Sequence, residues 1–170
     1  MPRISRPDMA AYGVPEELDG TLPWSWAEER LAECRNFWLV TVSATGRPHS
    51  MPVWGVWMPE RERFGFSCAP NARKVRNIAA NPQVVVTNDD TTRVVSLEGR
   101  AEPLGEATLL PMAERWAAKY GDEPDMGGTE EMIEFLRQNT AFEVVPERAF
   151  GMIETPEDFG PAATRWDWDA

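Results

Sequence analysis

Short runs of apolar residues, many of them β-branched, recur along this chain with turn-forming residues between them. The first clear run, residues 37–42, has the length of one buried strand. The same pattern predicts further strands at residues 49–58, 63–67, 83–87, 93–101, 142–145 and 149–153. Many short strands interrupted by few helices predict a mainly β fold, in which a closed antiparallel barrel carries helices on its outside.

Helices are predicted between the strands, at residues 25–35, 72–80, 106–120 and 130–138. Ser25 with Glu28 three residues later has the form of a capping box, so we expect the first helix to begin there. Asn81 and Pro82 end the second helix. Prolines and glycines crowd the start of the chain, which predicts an irregular N-terminal arm (1–23), a single domain (24–154) and a C-terminal tail (155–170).

The composition is acidic, with a formal net charge of −11 and a sequence pI of about 4.6. Nucleic acid and anionic membrane surfaces attract basic proteins, so neither is an expected partner. Residues 1–8 lack the apolar core of a secretory signal, and no apolar run reaches the length of a membrane span. We therefore expect a cytoplasmic protein.

No metal site is expected from the sequence. Cys34 and Cys68 fit no metal-binding spacing, and two cysteines make a poor disulfide framework. Asp122, Glu123 and Asp125 resemble a divalent-cation site only loosely, and a solvated acidic loop explains them better.

A local concentration of positive charge interrupts the acidic background. Residues 61–76 hold one acid, Glu62, against five basic residues: Arg61, Arg63, Arg73, Lys74 and Arg76. With Asn71 as the N-cap, Arg73 and Lys74 fall in the first turn of the second helix, where free N–H groups and the helix dipole favour an anion. The pattern predicts a phosphate site, to which the Ser67 hydroxyl could contribute, although a solvated helix with a basic face has the same pattern.

The predicted strand at residues 49–58 has two unusual positions. Pro52 cannot donate to a ladder and belongs at an edge or a bulge, while Gly55 lets another group approach the backbone closely. A break there exposes backbone groups to the edge of a heteroaromatic ring. The alternative is an ordinary edge strand with Trp54 and Trp57 in the core.

Taken in order, these pieces resemble the pyridoxamine 5'-phosphate oxidase-like family of flavin-binding split β-barrels. Within it, the chain is most similar to the small oxidoreductases that use FMN or the deazaflavin coenzyme. The resemblance covers about residues 28–104, with weaker support from 142–153. The matching pieces are residues 37–42, 46–49, 52–57, 64–67, 73–77 and 81–86.

The resemblance implies a homodimer with a cofactor, FMN or alternatively the deazaflavin F-420, in two equivalent sites at the subunit interface. The strand around Pro52 would line the ring, the helix cations would hold the phosphate, and the tail would pack on the barrel or on the partner subunit, bringing an arginine and an aromatic residue to the flavin. The implied cofactor-binding residues are His49, Met51, Pro52, Val53, Trp54, Ser67, Cys68, Arg73, Lys74, Asn77, Arg165 and Trp166.

The function implied by the resemblance is hydride transfer to or from a small conjugated or heteroaromatic substrate, with Arg47 or Arg165 as the cation near the reduced ring. No catalytic side chain is assigned, and a structural role is expected for His49. The oxidase's C-terminal Arg-Leu-Ala-Pro ending is missing, so pyridoxamine phosphate oxidation itself is not expected. The alternatives are a non-catalytic flavin carrier or sensor, and a haem- or tetrapyrrole-binding barrel.

Overall fold

Antiparallel strands dominate the computed structural model, which describes residues 1–123 and 127–168. The described strands are β1 (Arg3–Ser5), β2 (Phe37–Val42), β3 (Pro48–Val53), β4 (Gly55–Met58), β5 (Arg63–Cys68), β6 (Gln83–Asn88), β7 (Arg93–Pro103), β8 (Thr140–Ile153) and β9 (Thr164–Asp167). The described α-helices are α1 (Trp24–Glu33), α2 (Arg73–Ala80), α3 (Glu106–Tyr120), α4 (Thr129–Gln138) and α5 (Phe159–Ala162). In this part of the chain, every helix falls short of the length and apolar character that crossing a membrane requires.

Seven of the described strands form an almost complete circuit through six antiparallel pairings. β2 pairs with β3 on one side and with β6 on the other, and the ladder continues through β7, β8 and β5 to β4. β4 follows β3 after the single residue Trp54, so the chain itself closes the circuit where the ladder stops. This is a split antiparallel β-barrel with flanking helices, which confirms the predicted fold class.

Two apolar clusters hold the fold together. Inside the barrel, Leu39, Val86 and Leu97 lie opposite one another on β2, β6 and β7, and water reaches almost none of their surface. On the outside, α3 covers β4, and α4 packs on α3 and β8, through a second cluster that includes Val56 and Met112. Burial of these side chains supplies the main driving force for the fold.

The two ends of the chain join the sheet. β9 pairs with the last part of β8, and β1 pairs with β9, so Arg3 lies opposite Asp167. Trp24 packs edge-on against Trp57, Trp166 and Trp168, with ring centroids 5.6, 5.3 and 4.8 Å away. This aromatic cluster fastens β9 and the residue after it to α1 and β4.

Both predicted helix caps are wrong. α1 begins at Trp24 with Pro23 as its N-cap, because the Trp24 ring must dock in the aromatic cluster. Glu28 therefore does not cap the helix, and its carboxylate accepts a hydrogen bond from Trp57 Nε1 at 3.2 Å. α2 begins one residue later than expected, with Ala72 as its N-cap.

Two strand boundaries also differ from the prediction. The segment 49–58 is not one strand, since β3 ends at Val53 and β4 begins at Gly55. Conversely, the two strands predicted at 142–145 and 149–153 are the single strand β8, which stays continuous because an irregularity opposite Glu98 and Gly99 absorbs the extra residue.

Candidate functional site

The first turn of α2 carries the positive charge that the sequence predicted. Arg73 and Lys74 are its first two residues, and the first N–H groups of a helix have no partner within it. Within residues 1–123 and 127–168, neither side chain forms an ion pair or a hydrogen bond. Two adjacent cations at a helix N-terminus oppose the helix dipole, so the turn favours an anion placed between them.

His49 on β3 and Cys68 at the end of β5 border these cations. Partial loss of hydration, and then the charges of Arg73 and Lys74, lower the pKa of His49, so its imidazole is neutral at neutral pH. Burial raises the pKa of the Cys68 thiol, while the charge of Lys74 acts in the opposite direction. Three elements, β3, β5 and α2, therefore meet around one region of positive potential.

The donor set of this region fits a phosphate group. It combines a guanidinium, an ammonium and free backbone N–H groups, which together offer the charge-assisted hydrogen bonds that phosphate oxygens accept. Because no carboxylate of the described residues pairs with Arg73 or Lys74, an incoming anion displaces no internal partner.

Ser67 lies beside Cys68 in sequence but on the other face of β5, because successive strand residues alternate. A side chain at Gly65, two residues earlier, would meet Met112 of α3, which identifies that face as the one under the helices. The Ser67 Oγ is buried and forms no hydrogen bond among the described residues. The structure therefore brings Cys68, and not the Ser67 hydroxyl, towards the cations.

Asn77 is buried and hydrogen-bonded within the protein, so its side chain is not open to a ligand. Only 4% of its surface is exposed, and its Nδ2 donates to Thr41 Oγ1 at 2.9 Å. Thr41 lies opposite His49 in the β2–β3 ladder. This hydrogen bond therefore fixes α2 against the two strands and sets the position of the cations.

β3 is the strand on which a flat ring could lie. Its side chains alternate, so His49, Met51 and Val53 share the face of the barrel interior, while Pro52 lies on the other face opposite Trp38. Met51 stays 45% exposed although its partner Leu39 is buried. The interior face is thus open around Met51, as expected where the ladder of the barrel stops, whereas Val53 at the end of β3 is 8% exposed and belongs to the core.

Trp54 faces away from this open strip. Its ring stacks on Tyr120 of α3, with centroids 4.8 Å apart and planes 6° apart, and the Arg35 guanidinium lies 5.0 Å from it. Only the backbone of Trp54 remains beside β3. The predicted break between Pro52 and Gly55 is confirmed, whereas the Trp54 ring belongs to the cluster under the helices.

The structure does not bring Arg165 and Trp166 to the cations of the same chain. Trp166 has 0% exposed surface and belongs to the core, so its ring has no face for a ligand. Arg165 pairs with Asp167 at 2.6 Å. Arg165 lies opposite Phe150, ten residues along β8 from the partner of Cys68, which is roughly 30 Å of extended strand.

Arg47, the other cation considered for the ring, follows the turn at Gly46 before β3. Its side chain forms no ion pair within the described parts of the chain. The acidic loop gives no metal site among the described residues, where Glu123 pairs with Arg35 at 2.6 Å. Asp125 lies outside the described residues.

Sequence reasoning missed two residues that contact the break. Tyr120 and Lys119, at the end of α3, both hydrogen-bond Gly55. One signal was available: Lys74 and Lys119 are the only lysines in a sequence with 17 basic residues, and an ammonium is a point charge on a flexible stem, unlike the guanidinium fork.

Several solved structures share this fold. A conserved hypothetical protein, Rv2991, from Mycobacterium tuberculosis is 19% identical, with 75% of this chain and 82% of that chain covered at a TM-score of 0.62. The haem storage protein HutZ from Vibrio cholerae is 21% identical, with 75% and 93% covered at 0.58. An F420 reductase is 22% identical, with 72% and 94% covered at 0.55.

No curated protein matches the chain. The family model described as pyridoxamine 5'-phosphate oxidase matches residues 26–150, from the first turn of α1 to the last part of β8. This range includes the barrel circuit except for the end of β8, together with the cations of α2, and it confirms the resemblance seen in the sequence. The chain therefore belongs to the pyridoxamine 5'-phosphate oxidase family.

Proposed function

We propose that the protein binds a phosphorylated tricyclic redox cofactor, FMN or the deazaflavin F-420, with its phosphate at Arg73 and Lys74. The observation that carries this proposal is the pair of adjacent cations in the first turn of α2, which no described acid neutralises. The open interior face of β3, with His49 and Met51, adjoins them and would receive the ring.

The partner that completes this site would be a second copy of the chain. Trp38 is 48% exposed on the outer face of β2, and Val40 and Val85 lie beside it as an opposite pair on the same face. An apolar sheet face of this kind favours association. Because β3 is the edge strand of that face, a homodimer formed there would bring the partner subunit next to the open edge of the barrel, where it could enclose the ring.

The cofactor would supply the hydride chemistry, and the protein would supply position and electrostatics. Arg73 and Lys74 would anchor the phosphate, and the β3 backbone would hold one edge of the ring. Enclosure by the partner would exclude water from the reacting face. The substrate that fits such a site is a small conjugated or heteroaromatic molecule, and no side chain of the chain is required as a nucleophile.

The direct test is to identify what the purified protein retains. Denaturing release followed by mass spectrometry should give FMN or F-420, and the apo-protein should rebind it in a fluorescence titration. Turnover with a reduced nicotinamide or reduced deazaflavin donor would distinguish an oxidoreductase from a carrier. Failure of the apo-protein to bind either cofactor would contradict the proposal.

Haem is the second candidate, and one observation favours it. Partial loss of hydration, and then the neighbouring cations, lower the pKa of His49, so its imidazole offers a nitrogen lone pair. Arg73 and Lys74 beside it could pair with haem propionates. HutZ, a haem storage protein, has the same fold. The absorption spectrum of the purified protein separates the two candidates, and His49→Ala should abolish a haem spectrum but leave a flavin spectrum in place.

A further inference from the structure

The strand break is held by side chains of α3. The Gly55 N–H donates to Tyr120 Oη at 3.1 Å, and this hydroxyl lies 3.0 Å from the Gly55 carbonyl oxygen and 2.8 Å from that of Arg35. Since a hydroxyl has one proton, it donates to one of these carbonyls at a time. Lys119 Nζ donates to the Gly55 carbonyl at 3.0 Å. Both backbone groups of Gly55 are therefore satisfied by the last turn of α3.

The environment of Lys119 shows that its charge serves this contact. Its Nζ lies 4.8 Å from the ring centroid of Phe37 and 5.4 Å from that of Tyr120, and a second carbonyl, that of Leu31, is at 3.5 Å. Among the described residues it has no carboxylate partner. A partly buried ammonium without a counter-ion is costly, so the carbonyl and ring contacts must hold it in place.

The held backbone adjoins the proposed ring site. Gly55 is two residues after Val53, the last residue of β3, and four residues after the exposed Met51 on the same strand. The intervening residue, Trp54, stacks on Tyr120. The end of α3 thus fixes both the Trp54 side chain and the backbone of Gly55. Because β3 ends at the residue before Trp54, any shift of the break also moves the end of β3.

We propose that Lys119 and Tyr120 are positioning residues for the cofactor ring: they fix the strand break at Gly55 and so set the β3 backbone against which the ring lies. This inference rests on the proposed function for the ring itself. The hydrogen bonds of Lys119 and Tyr120 to Gly55 are a property of the protein alone, and their effect can be measured without cofactor.

The contact between the Lys119 ammonium and the Gly55 carbonyl also depends on pH. Burial lowers the pKa of Lys119 to about 8, so its charge is lost over an accessible range. The groups that face it are Glu33 and Cys34 at the end of α1, and Arg115 and Tyr120 on α3. Burial raises the pKa of Tyr120 to about 12, so this hydroxyl stays neutral while Lys119 titrates. Burial also raises the pKa of Cys34, whose charge acts to raise the pKa of Lys119.

The test uses Tyr120→Phe, which keeps the stack on Trp54 and removes only the hydroxyl, and Lys119→Met, which removes the charge. Tyr12→Phe is the matched control, because Tyr12 is 71% exposed and far from the break in sequence. In the apo-protein, amide exchange at Gly55 should be about fivefold faster in Tyr120→Phe and unchanged in the control.

The second readout is the ring itself, probed with FMN, with riboflavin, which lacks the phosphate, and with F-420 in parallel. Tyr120→Phe should lower the affinity for FMN and for riboflavin alike by about fivefold, and it should shift the absorption band of the bound ring. In the wild type this band should change with pH around 8, and in Lys119→Met it should not.

The outcomes separate this inference from the function on which it rests. A wild-type apo-protein that binds none of the three probes overturns both. Binding by the wild type, with an unchanged ring spectrum and unchanged affinity in both variants, overturns the positioning role alone. Unchanged amide exchange at Gly55 in Tyr120→Phe overturns it as well.

Discussion

The first turn of α2 and the last turn of α3 each carry a lysine, and the two have opposite environments. Lys74 opposes the dipole of its helix and has no ion-pair partner among the described residues, whereas Lys119 complements the dipole of its helix and contacts two carbonyls and two rings. The ammonium of Lys119 has hydrogen-bond partners within the fold. That of Lys74 has none among the described residues, which is why the candidate site lies at α2.

The largest expected effect tests the region at the end of α3. A Cβ added at Gly55 would lie 2.3 Å from the Phe64 ring and 2.9 Å from the Gly65 carbonyl oxygen. Because the ring is buried and cannot withdraw, Gly55→Ala should lower the free energy of unfolding by about 3 kcal/mol. Urea denaturation measures this.

Gly46→Ala is a useful comparison for that variant, because its added Cβ meets nothing within 4 Å and any loss there comes from its positive φ alone. A Gly55→Ala protein as stable as Gly46→Ala would mean that the break can relax, and that α3 does not hold it rigidly.

The next effect tests the region at α2. Lys74→Ala should lower the affinity for FMN or F-420 roughly 10- to 100-fold, since a charge-assisted hydrogen bond contributes about 1.5–3 kcal/mol. Fluorescence titration of the apo-protein measures it, and riboflavin should be unaffected. Arg76→Ala is the control on the same helix, because the Arg76 guanidinium already donates to the Asn71 carbonyl.

Equal losses in Lys74→Ala and Arg76→Ala would point to a diffuse electrostatic effect and not to a phosphate site. Amine acylation gives an independent measurement, because the chain has only two lysine side chains. Bound cofactor should protect Lys74 and leave the labelling of Lys119 unchanged.

The smallest effect concerns the pH dependence of stability. In the folded protein the pKa of Lys119 is lowered from 10.5 to about 8, so between these values the unfolded chain binds more protons than the folded one. The contribution of Lys119 to the free energy of unfolding should therefore rise with pH from about 8 to 10.5. Since Lys119 keeps some contact with water, a rise on the order of 1 kcal/mol is expected.

Thermal unfolding at pH 7.5 and 9.5 would measure this rise, which Lys119→Met should lack. A wild-type profile identical to that of Lys119→Met would show that the ammonium is well solvated after all.

The comparison also shows what the sequence could reveal. The strands of the barrel and the cations of α2 follow from local patterns of apolar and basic residues, and these were predicted. The contacts of Tyr120 and Lys119 with Gly55 join positions 65 and 64 residues apart, and no local pattern reports such a pairing. The predicted cap of α1 was wrong for a related reason, because docking of Trp24 in the core overrode the local signal of Ser25.

Trp166 in the tail shows the same physical limit. Its type suits a flavin, but β9 pairs with β8 and takes Trp166 into the core. A sequence shows which side chains could serve a ligand, whereas the tertiary fold decides which ones are still free to do so.

The four indoles around Trp24 give the protein an intrinsic optical reporter. Rings at 4.8–5.6 Å that meet edge-on couple their electronic transitions, so the cluster should produce its own near-ultraviolet circular dichroism band. Two of those rings, Trp166 and Trp168, follow α5, so detachment of the last strand would weaken the band and leave only the Trp24–Trp57 pair. Fraying of this end of the sheet can thus be observed separately from global denaturation.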